Sequence, residues 1–324
     1  MASLTVPPVP TWARQDAIDL HRAFKGFGCD STTVINILAH RDATQRALIQ
    51  QEYRAIFNQD LSRRIASELS GHHKARRDRF FRAMLLWILD PASRDATILK
   101  QALTGDVTDL RAATEVICSR TPSQLQILRQ TYRARFGCYV EHDVTERTSS
   151  GDHQRLLLAY LAIPRYEGPE ADPSLAALDA RELYKAGERR LGTDERAFIR
   201  VFSERGWAHM AAVARAYHHM YHRPLEAAVK GETSGNFGFG LLTILRCAES
   251  PAHYFAKVLH KAMKGLGTSD STLIRVVVTR AEVDMQYIKA EYHKTYKRSL
   301  ADAIHSETSG HYRTFLLSLV GRDR

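Results

Sequence analysis

The chain has 324 residues, of which 44% are hydrophobic, and 46 Lys and Arg against 36 Asp and Glu give a formal net charge of +10. This mixed composition excludes a disordered or collagen-like chain, and no apolar run approaches the roughly 18 residues that a membrane-spanning helix needs. We therefore expect a globular protein whose basic bias favours an anionic partner.

The first segment, residues 1–13, is predicted to be a short N-terminal tail. It lacks the basic flank and the apolar core of a secretion signal, so we expect a cytoplasmic protein. The chain has four widely spaced cysteines in no metal-ligand pattern, which indicates reduced thiols.

The rest of the chain is predicted to be a fourfold repeat. An apolar residue, a tyrosine and a second aromatic residue follow one another at four-residue steps, first as Ile49, Tyr53 and Phe57. This spacing places the three side chains on one face of a helix, where we expect them to pack in the core. The same stripe returns three times, with successive tyrosines 79, 85 and 75 residues apart, as Leu128-Tyr132-Phe136, Val213-Tyr217-Tyr221 and Ile288-Tyr292-Tyr296.

Helix starts agree with this division. Three repeats begin with a capping side chain before a proline, at Asp90-Pro91, Asp172-Pro173 and Ser250-Pro251. The patterns between them are helical, so we predict an all-α protein with about five short helices per repeat. The predicted repeats span residues 14–87, 88–163, 174–247 and 248–321. The linker at 164–173, rich in proline, glycine and acids, suggests two halves of two repeats each.

Two loops have the composition of a cation site. Gly26 and Gly28 in repeat 1 correspond to Gly265 and Gly267 in repeat 4, and in both repeats an acid follows the first glycine by 42 residues. Paired glycines permit a backbone with positive φ that exposes carbonyl oxygens, which are hard ligands suited to Ca²⁺. A single distant carboxylate would complete a cage of low charge, so we expect weak affinity unless a lipid phosphate joins it.

These segments resemble the annexins, a family of calcium-dependent phospholipid-binding proteins. The resemblance runs from about Ala13 to Val320 and is greatest to plant annexins. The motifs that carry it are Lys25-Gly26-Phe27-Gly28, Leu191-Gly192-Thr193-Asp194, Lys264-Gly265-Leu266-Gly267-Thr268 and Glu307-Thr308-Ser309-Gly310. The resemblance implies four five-helix repeats in a curved disc, with calcium loops on its convex face and reversible binding to anionic, phosphatidylserine-like membranes.

The same resemblance implies the calcium ligands of two loops. In repeat 1 they are the carbonyls of Phe24, Gly26 and Gly28 with the carboxylate of Glu68. In repeat 4 they are the carbonyls of Met263, Gly265 and Gly267 with the carboxylate of Glu307.

The other two repeats depart from the pattern. Repeat 2 has Val107 and Arg147 where the second glycine and the acid are expected, which argues against calcium binding there. Repeat 3 keeps Gly192 and Glu232 but has Arg190 at the first glycine position. This guanidinium is expected to pair with Glu232 or with a lipid phosphate in place of the missing cation.

The loop tips are predicted to touch the membrane. Apolar side chains can enter the headgroup layer while neighbouring cations pair with phosphates, although Phe27 and Leu266 could instead pack under their own loops. The predicted contact residues are Lys25, Phe27, Arg189, Arg190, Leu191, Lys264 and Leu266. The chain also has 15 histidines, so we expect calcium-independent binding to acidic vesicles below about pH 6.

Alternative functions rest on weaker features. No Ser/His/Asp order or Walker loop stands out, so we expect no enzyme. The resemblance to plant annexins implies one alternative in this class, a minor peroxidase activity through His40; a nucleotide hydrolase side activity is the other. Ile199-Arg200-Val201 and Ile274-Arg275-Val276 resemble a short actin-binding motif, which makes an F-actin scaffold the second alternative. Cys118 and Cys247 are expected in corresponding helices of repeats 2 and 4, and the resemblance to plant annexins allows such a pair a redox role; buried structural thiols are the other interpretation. The aromatic residues follow the core period, so no nucleic acid is expected as a partner.

Overall fold

The computed structural model describes residues 1–2, 11–26, 28–70, 74–265 and 267–321. These residues form twenty α-helices and contain no strand, which confirms the predicted all-α class with five helices per repeat. The first repeat contains α1 (Ala13–Ala23), α2 (Ser31–Leu38), α3 (Ala43–Phe57), α4 (Leu61–Ser67), a 3-10 turn (Glu68–Ser70) and α5 (Lys74–Trp87). The second contains α6 (Pro91–Thr104), α7 (Leu110–Cys118), α8 (Pro122–Phe136), α9 (Val140–Arg147) and α10 (Asp152–Ala162).

The third and fourth repeats reproduce this order. The third contains α11 (Pro173–Ala186), α12 (Glu195–Glu204), α13 (Trp207–Tyr221), α14 (Leu225–Glu232) and α15 (Gly235–Glu249). The fourth contains α16 (Pro251–Met263), α17 (Asp270–Arg280), α18 (Met285–Tyr296), α19 (Leu300–Glu307) and α20 (Gly310–Val320). Within the described part of the chain, no helix combines the length and the apolarity needed to cross a bilayer.

The predicted helix starts at the three prolines are confirmed. The side chain of Asp90 accepts a hydrogen bond from the backbone N–H of Ser93 at 2.9 Å. Asp172 accepts one from Ser174 at 2.8 Å, and the Ser250 hydroxyl accepts one from His253 at 3.2 Å. Each cap satisfies a backbone donor that has no partner within its helix, so α6, α11 and α16 all begin at the proline.

The repeat stripe forms the core, with one correction. The four stripe tyrosines and the apolar residues that precede them are at most 3% exposed. The third member of each stripe is only half-buried, contrary to the expectation that all three members lie inside. It stands at the last residue of its helix, where a ring from the first helix of the same repeat covers it in three repeats. The three stacked pairs are His21 on Phe57, Tyr184 on Tyr221 and His260 on Tyr296, with centroids 3.7 to 3.9 Å apart.

The chain divides into two compact units, but not at the predicted linker. Unit 1 comprises residues 1–94 and 255–324, and unit 2 comprises residues 95–254. The segment 164–173 therefore lies inside unit 2, and the expectation that it separates two halves is wrong. Arg165 explains why: it is buried, its guanidinium lies 3.6 Å from the ring centroid of Tyr160, and it donates hydrogen bonds to the carbonyls of Tyr160 and Ser203. These contacts fix the segment 164–173 to the helices of unit 2.

A buried charge cluster within unit 1 joins the first and fourth repeats and the start of α6. The guanidinium of Arg46 pairs with both carboxylate oxygens of Glu282 at 3.1 and 2.9 Å, and Arg94 approaches the same carboxylate at 3.4 Å. Both arginine side chains are 1% exposed and stack over the indole of Trp87, with centroid distances of 3.9 and 4.9 Å. One carboxylate thus serves two buried cations.

Candidate functional site

The loops after α1 and α16 have the backbone that the paired glycines predict. The φ angles are 106° at Gly26, 99° at Gly28, 112° at Gly265 and 92° at Gly267. A Cβ added at Gly26, Gly265 or Gly267 would meet no atom within 4 Å, so the requirement for glycine at these positions is conformational rather than steric. Each loop is closed by a 2.8 Å backbone hydrogen bond that spans seven residues, such as Asp30 N–H to the carbonyl of Ala23.

The two distant acids lie beside these loops. Glu307 is the last residue of α19, and its carboxylate accepts a hydrogen bond from the hydroxyl of Thr268, one residue after the loop, at 3.1 Å. Glu68 follows α4, and Arg64 links it to the first loop: this guanidinium contacts the Glu68 carboxylate at 2.7 Å and donates a hydrogen bond to the carbonyl of Phe24. Each acid therefore lies next to the loop with which it was grouped.

The third loop has a mixed geometry. Gly192 has a φ of 78°, and Glu232 accepts a hydrogen bond from the Thr193 hydroxyl at 2.7 Å, as Glu307 does from Thr268. The closing bond from Asp194 to Ala186 spans eight residues rather than seven, so this loop is one residue longer. Arg190 is exposed and, in the described part of the chain, makes no ion pair with Glu232. Of the two partners expected for Arg190, the structure therefore does not show Glu232, which is held by Thr193, and pairing with a lipid phosphate stays a prediction.

The second loop differs most. Gly105 does not have a positive φ, and an added Cβ there would stand 2.5 Å from the carbonyl of Gln101, so this glycine is needed for a close backbone approach. Val107 is 84% exposed, and Arg147, which stands at the position of the acid, is exposed as well. The backbone turn that exposes carbonyls in repeats 1 and 4 is therefore missing from repeat 2.

The predicted membrane contacts are exposed wherever the structure describes them. Lys25, Arg189, Arg190 and Lys264 are all exposed, and Leu191 presents its complete side chain to solvent. The other two predicted tips, Phe27 and Leu266, lie outside the described residues.

The donors of these loops fit a hard cation bound largely by backbone oxygen. The described residues include no group of three or more His, Cys, Asp or Glu side chains able to hold a metal ion. Loops 1 and 4 instead combine exposed carbonyls with one carboxylate, the oxygen set that Ca²⁺ prefers. In loop 1 a guanidinium already contacts both a loop carbonyl and the loop acid, so these two oxygens face a common cationic group.

Two contributors escaped the sequence analysis. The hydroxyls of Thr193 and Thr268 hold the acids of repeats 3 and 4, and each threonine precedes its acid by 39 residues. This constant spacing was a usable signal. The other contributor is Arg64, and the sequence contains no signal for it. The position of an arginine on a helix surface does not indicate that its side chain reaches a loop forty residues earlier.

The residues behind the alternative functions have ordinary structural places. Ile199, Val201, Ile274 and Val276 are buried, so the two tripeptides present no apolar surface to a filament. Cys118 ends α7, the second helix of repeat 2, whereas Cys247 lies in α15, the fifth helix of repeat 3, so the expectation that they occupy corresponding helices is wrong. Neither thiol is in a disulfide, and both are fully buried. Burial raises the pKa of Cys118 to about 12, which keeps it protonated and unreactive at neutral pH.

His40, the candidate for a peroxidase activity, is half-buried and follows the end of α2. Its backbone carbonyl accepts a hydrogen bond from Arg41 at 3.1 Å. His40 therefore lies in the turn that connects α2 and α3.

Comparisons with known proteins agree with the geometry. A family model described as Annexin matches residues 15–75, 94–160, 178–244 and 254–319. The chain is 51% identical over 321 residues to Annexin D5 of Arabidopsis thaliana, covering 99% of each chain, and 40% identical over 312 residues to Annexin A4 of Mus musculus, covering 96% of this chain and 95% of the relative.

Solved structures give the same result. The structure of annexin III superposes with a TM-score of 0.93 at 34% identity, covering 100% of this chain and 98% of the other. A calcium-bound annexin (Sm)1 superposes with a TM-score of 0.81 at 29% identity, covering 97% and 92%.

Proposed function

The chain belongs to the annexin family, whose members bind phospholipid in a calcium-dependent manner, and from this premise we propose that it docks reversibly on anionic membranes when calcium rises. Loops 1 and 4 are the proposed binding elements, assisted by the basic residues beside them. In this proposal the protein is cytoplasmic at low calcium and peripheral on the plasma membrane or on endomembranes at high calcium.

The observation that carries the proposal is the pairing of loop and acid. We assign the cation of loop 1 to the carbonyls of Phe24, Gly26 and Gly28 and the carboxylate of Glu68. In repeat 4 the same roles fall to the carbonyls of Met263, Gly265 and Gly267 and to Glu307. Bound calcium would supply the positive charge that bridges these protein oxygens to a lipid phosphate. Each loop contributes a single negative charge, so tight binding requires the lipid anion as well.

Repeat 3 supports a third site. Its ligands would be backbone carbonyls, which do not depend on the side chain at position 190, and the extra residue of this loop gives the chain room to turn without a first glycine. Glu232 is held as Glu307 is, and Gly192 supplies the positive φ next to it. We therefore add loop 3 to the two predicted loops, in place of the expectation that Arg190 substitutes for the cation.

Membrane contact is proposed to come from the loop tips. Leu191 is exposed between two basic residues and Gly192, an arrangement that lets an apolar side chain enter the headgroup layer while guanidinium groups reach phosphates. Each basic side chain near an anionic leaflet contributes roughly 1 kcal/mol, and the contribution falls with salt. Arg189, Arg190, Lys25 and Lys264 are the cations available for this role.

Vesicle pelleting tests the proposal directly. At neutral pH and near-physiological salt, the native chain is expected to pellet with vesicles of phosphatidylcholine and phosphatidylserine in the presence of calcium. It should return to the supernatant when a chelator is added, and vesicles of phosphatidylcholine alone should not bind it. Equal pelleting with and without calcium would overturn the proposal and identify the basic surface as the main binding element.

Acidic pH is expected to replace calcium in part. Among the described residues seven histidines are exposed, namely His142, His218, His219, His222, His293, His305 and His311. An imidazole in water gains charge as the pH falls below about 6, so a surface rich in histidine is attracted more strongly to an anionic membrane at acidic pH. Burial lowers the pKa of His153 and of His260, so those two remain neutral to lower pH and contribute least. Pelleting without calcium should therefore rise from pH 7.4 to pH 5, and its absence at pH 5 would refute this prediction.

A further inference from the structure

Arg64 occupies the space between the proposed ligands of loop 1. Its Nη1 lies 2.7 Å from Oε1 of Glu68, and its Nη2 donates a hydrogen bond to the backbone carbonyl of Phe24. The hydroxyl of Ser67 accepts a further hydrogen bond from Nη1 at 2.7 Å, and the guanidinium lies 5.1 Å from the centroid of the Phe24 ring. A side-chain cation thus satisfies the carboxylate and one carbonyl of this loop.

No other repeat has a cation at this place. Arg64 stands eleven residues after the stripe tyrosine of repeat 1, and the same position holds Asp143 in repeat 2, Ala228 in repeat 3 and Ala303 in repeat 4. In repeats 3 and 4 the acid is held by a neutral threonine hydroxyl, whereas repeat 1 has Cys29 where that threonine would stand. The loops therefore hold their acids by different means: a charged group in the first, an uncharged one in the third and fourth.

We propose that Arg64 is an internal competitor of calcium at loop 1, so that this loop fills at a higher calcium concentration than loop 4. The inference rests on the proposed function of loop 1 as a calcium site. It adds a difference in calcium threshold between two loops that have the same glycines and the same acid.

Electrostatics and geometry support the competition. The Glu68 carboxylate and the Phe24 carbonyl cannot contact a guanidinium and a divalent cation in the same space, and two positive groups within a few ångströms repel each other. Calcium binding therefore requires Arg64 to leave and to lose a charge-assisted hydrogen bond. The side chain is 24% exposed, which leaves it a route to solvent. At loop 4 the corresponding step only turns a threonine hydroxyl away.

The order of filling follows from this difference. As calcium rises, loop 4 should load first, and loop 1 should load once the ion can displace the guanidinium. A protein with staggered loops responds over a broader calcium range than one whose loops are equal. Arg64 therefore sets the upper part of that range.

The test isolates loop 1 by calcium titration without lipid. Glu232→Gln and Glu307→Gln together remove the acids of the other two candidate loops, and calorimetry with calcium into the millimolar range then reports loop 1 alone. Adding Arg64→Ala, the residue that repeats 3 and 4 carry naturally, is expected to tighten calcium binding by about tenfold, equivalent to about 1.4 kcal/mol. Arg64→Lys keeps the charge but not the planar fork, and it should give an intermediate affinity.

Arg63→Ala is the matched control. Arg63 is the exposed neighbour on the same helix, and in the described part of the chain its guanidinium has no partner, so this variant removes the same charge without touching loop 1. Its calcium affinity should stay within about twofold of the parent. An equal gain in the Arg63→Ala and Arg64→Ala variants would overturn the competition and assign the effect to net charge.

Two further outcomes distinguish a failure of the Arg64 competition from a failure of loop 1 as a calcium site. If the parent binds calcium, loses it with Glu68→Gln, and gains nothing from Arg64→Ala, the competition is wrong while loop 1 stands as a site. If calcium binding is unaffected by Glu68→Gln, loop 1 is not a calcium site, and both the proposed role of the loop and the competition fail. Circular dichroism of each variant confirms that the helical fold is retained.

Discussion

Replacing Glu68, Glu232 and Glu307 together by glutamine is expected to abolish calcium-dependent pelleting with phosphatidylserine vesicles. Each carboxylate is the one charged protein ligand proposed for its loop, and calcium affinity depends strongly on the number of charged ligands. The calcium concentration for half-maximal pelleting should rise by at least on the order of a hundredfold. Net charge cannot explain such a loss, because the triple variant has a formal charge of +13 instead of +10, which increases its attraction to the vesicles.

Two control variants test whether the expected loss is specific to the three loop acids. A charge-matched variant with Glu52, Glu146 and Glu204 changed to glutamine should pellet at least as well as the native chain. The double variant Glu68→Gln, Glu307→Gln should keep partial calcium dependence, because Glu232 is intact. Native behaviour of the triple variant would show that the three carboxylates are not calcium ligands, and complete loss in the double variant would remove loop 3 from the set.

Glu282→Gln is expected to destabilise unit 1 by about 3 kcal/mol, since removal of one partner from a buried ion pair leaves an uncompensated charge. In this case two guanidinium groups, those of Arg46 and Arg94, lose the carboxylate that they share, and both are almost fully buried. A glutamine can still accept one hydrogen bond but carries no charge. The thermal midpoint should fall by about 6 to 12 °C, measured by calorimetry or by circular dichroism.

Glu204→Gln provides the comparison for this effect. Glu204 pairs with Arg200 at 3.3 Å, and both side chains are 39% exposed, so solvent screens the pair. Its loss should cost no more than about 0.5 kcal/mol. An unchanged midpoint in Glu282→Gln would mean that the Trp87 ring and the surrounding carbonyls stabilise both arginines without the carboxylate.

The fold was predictable because its main determinant is periodic. Tyr53 and its three counterparts mark one helix in each repeat, and prolines after capping side chains mark the starts of α6, α11 and α16. The pattern could not predict how deeply each stripe residue is buried. Phe57 lies on the same helix face as Tyr53 but stands at the end of α3, where the His21 ring covers it. The assignment of repeats to the two compact units was also not predictable. The composition of the segment 164–173 suggested a flexible linker and gave no sign that Arg165 is buried and hydrogen-bonded.

The candidate site was predictable as a set of backbone positions and was less predictable as a set of side-chain contacts. Glycine spacing identified the positive φ values of Gly26 and Gly265, since few other residues adopt them. The extra residue of loop 3 escaped notice, because counting back from Tyr217 aligns Gly192 correctly whatever precedes it. The contact of Arg64 depends on one rotamer of a long side chain, and no periodicity encodes a rotamer.

The composition of unit 1 has a consequence for synthesis. Unit 2 is a single continuous stretch, so all of its partners have left the ribosome once Tyr254 has emerged. Helices α2 and α5 pack against α20, the last helix to be synthesised. Their packing can therefore be completed only after nearly the whole chain has been translated. Closing so long a loop is costly in entropy and slow. The first repeat to be translated is therefore among the last to be completed, and its apolar faces are the part of the nascent chain that chaperones have the longest time to bind.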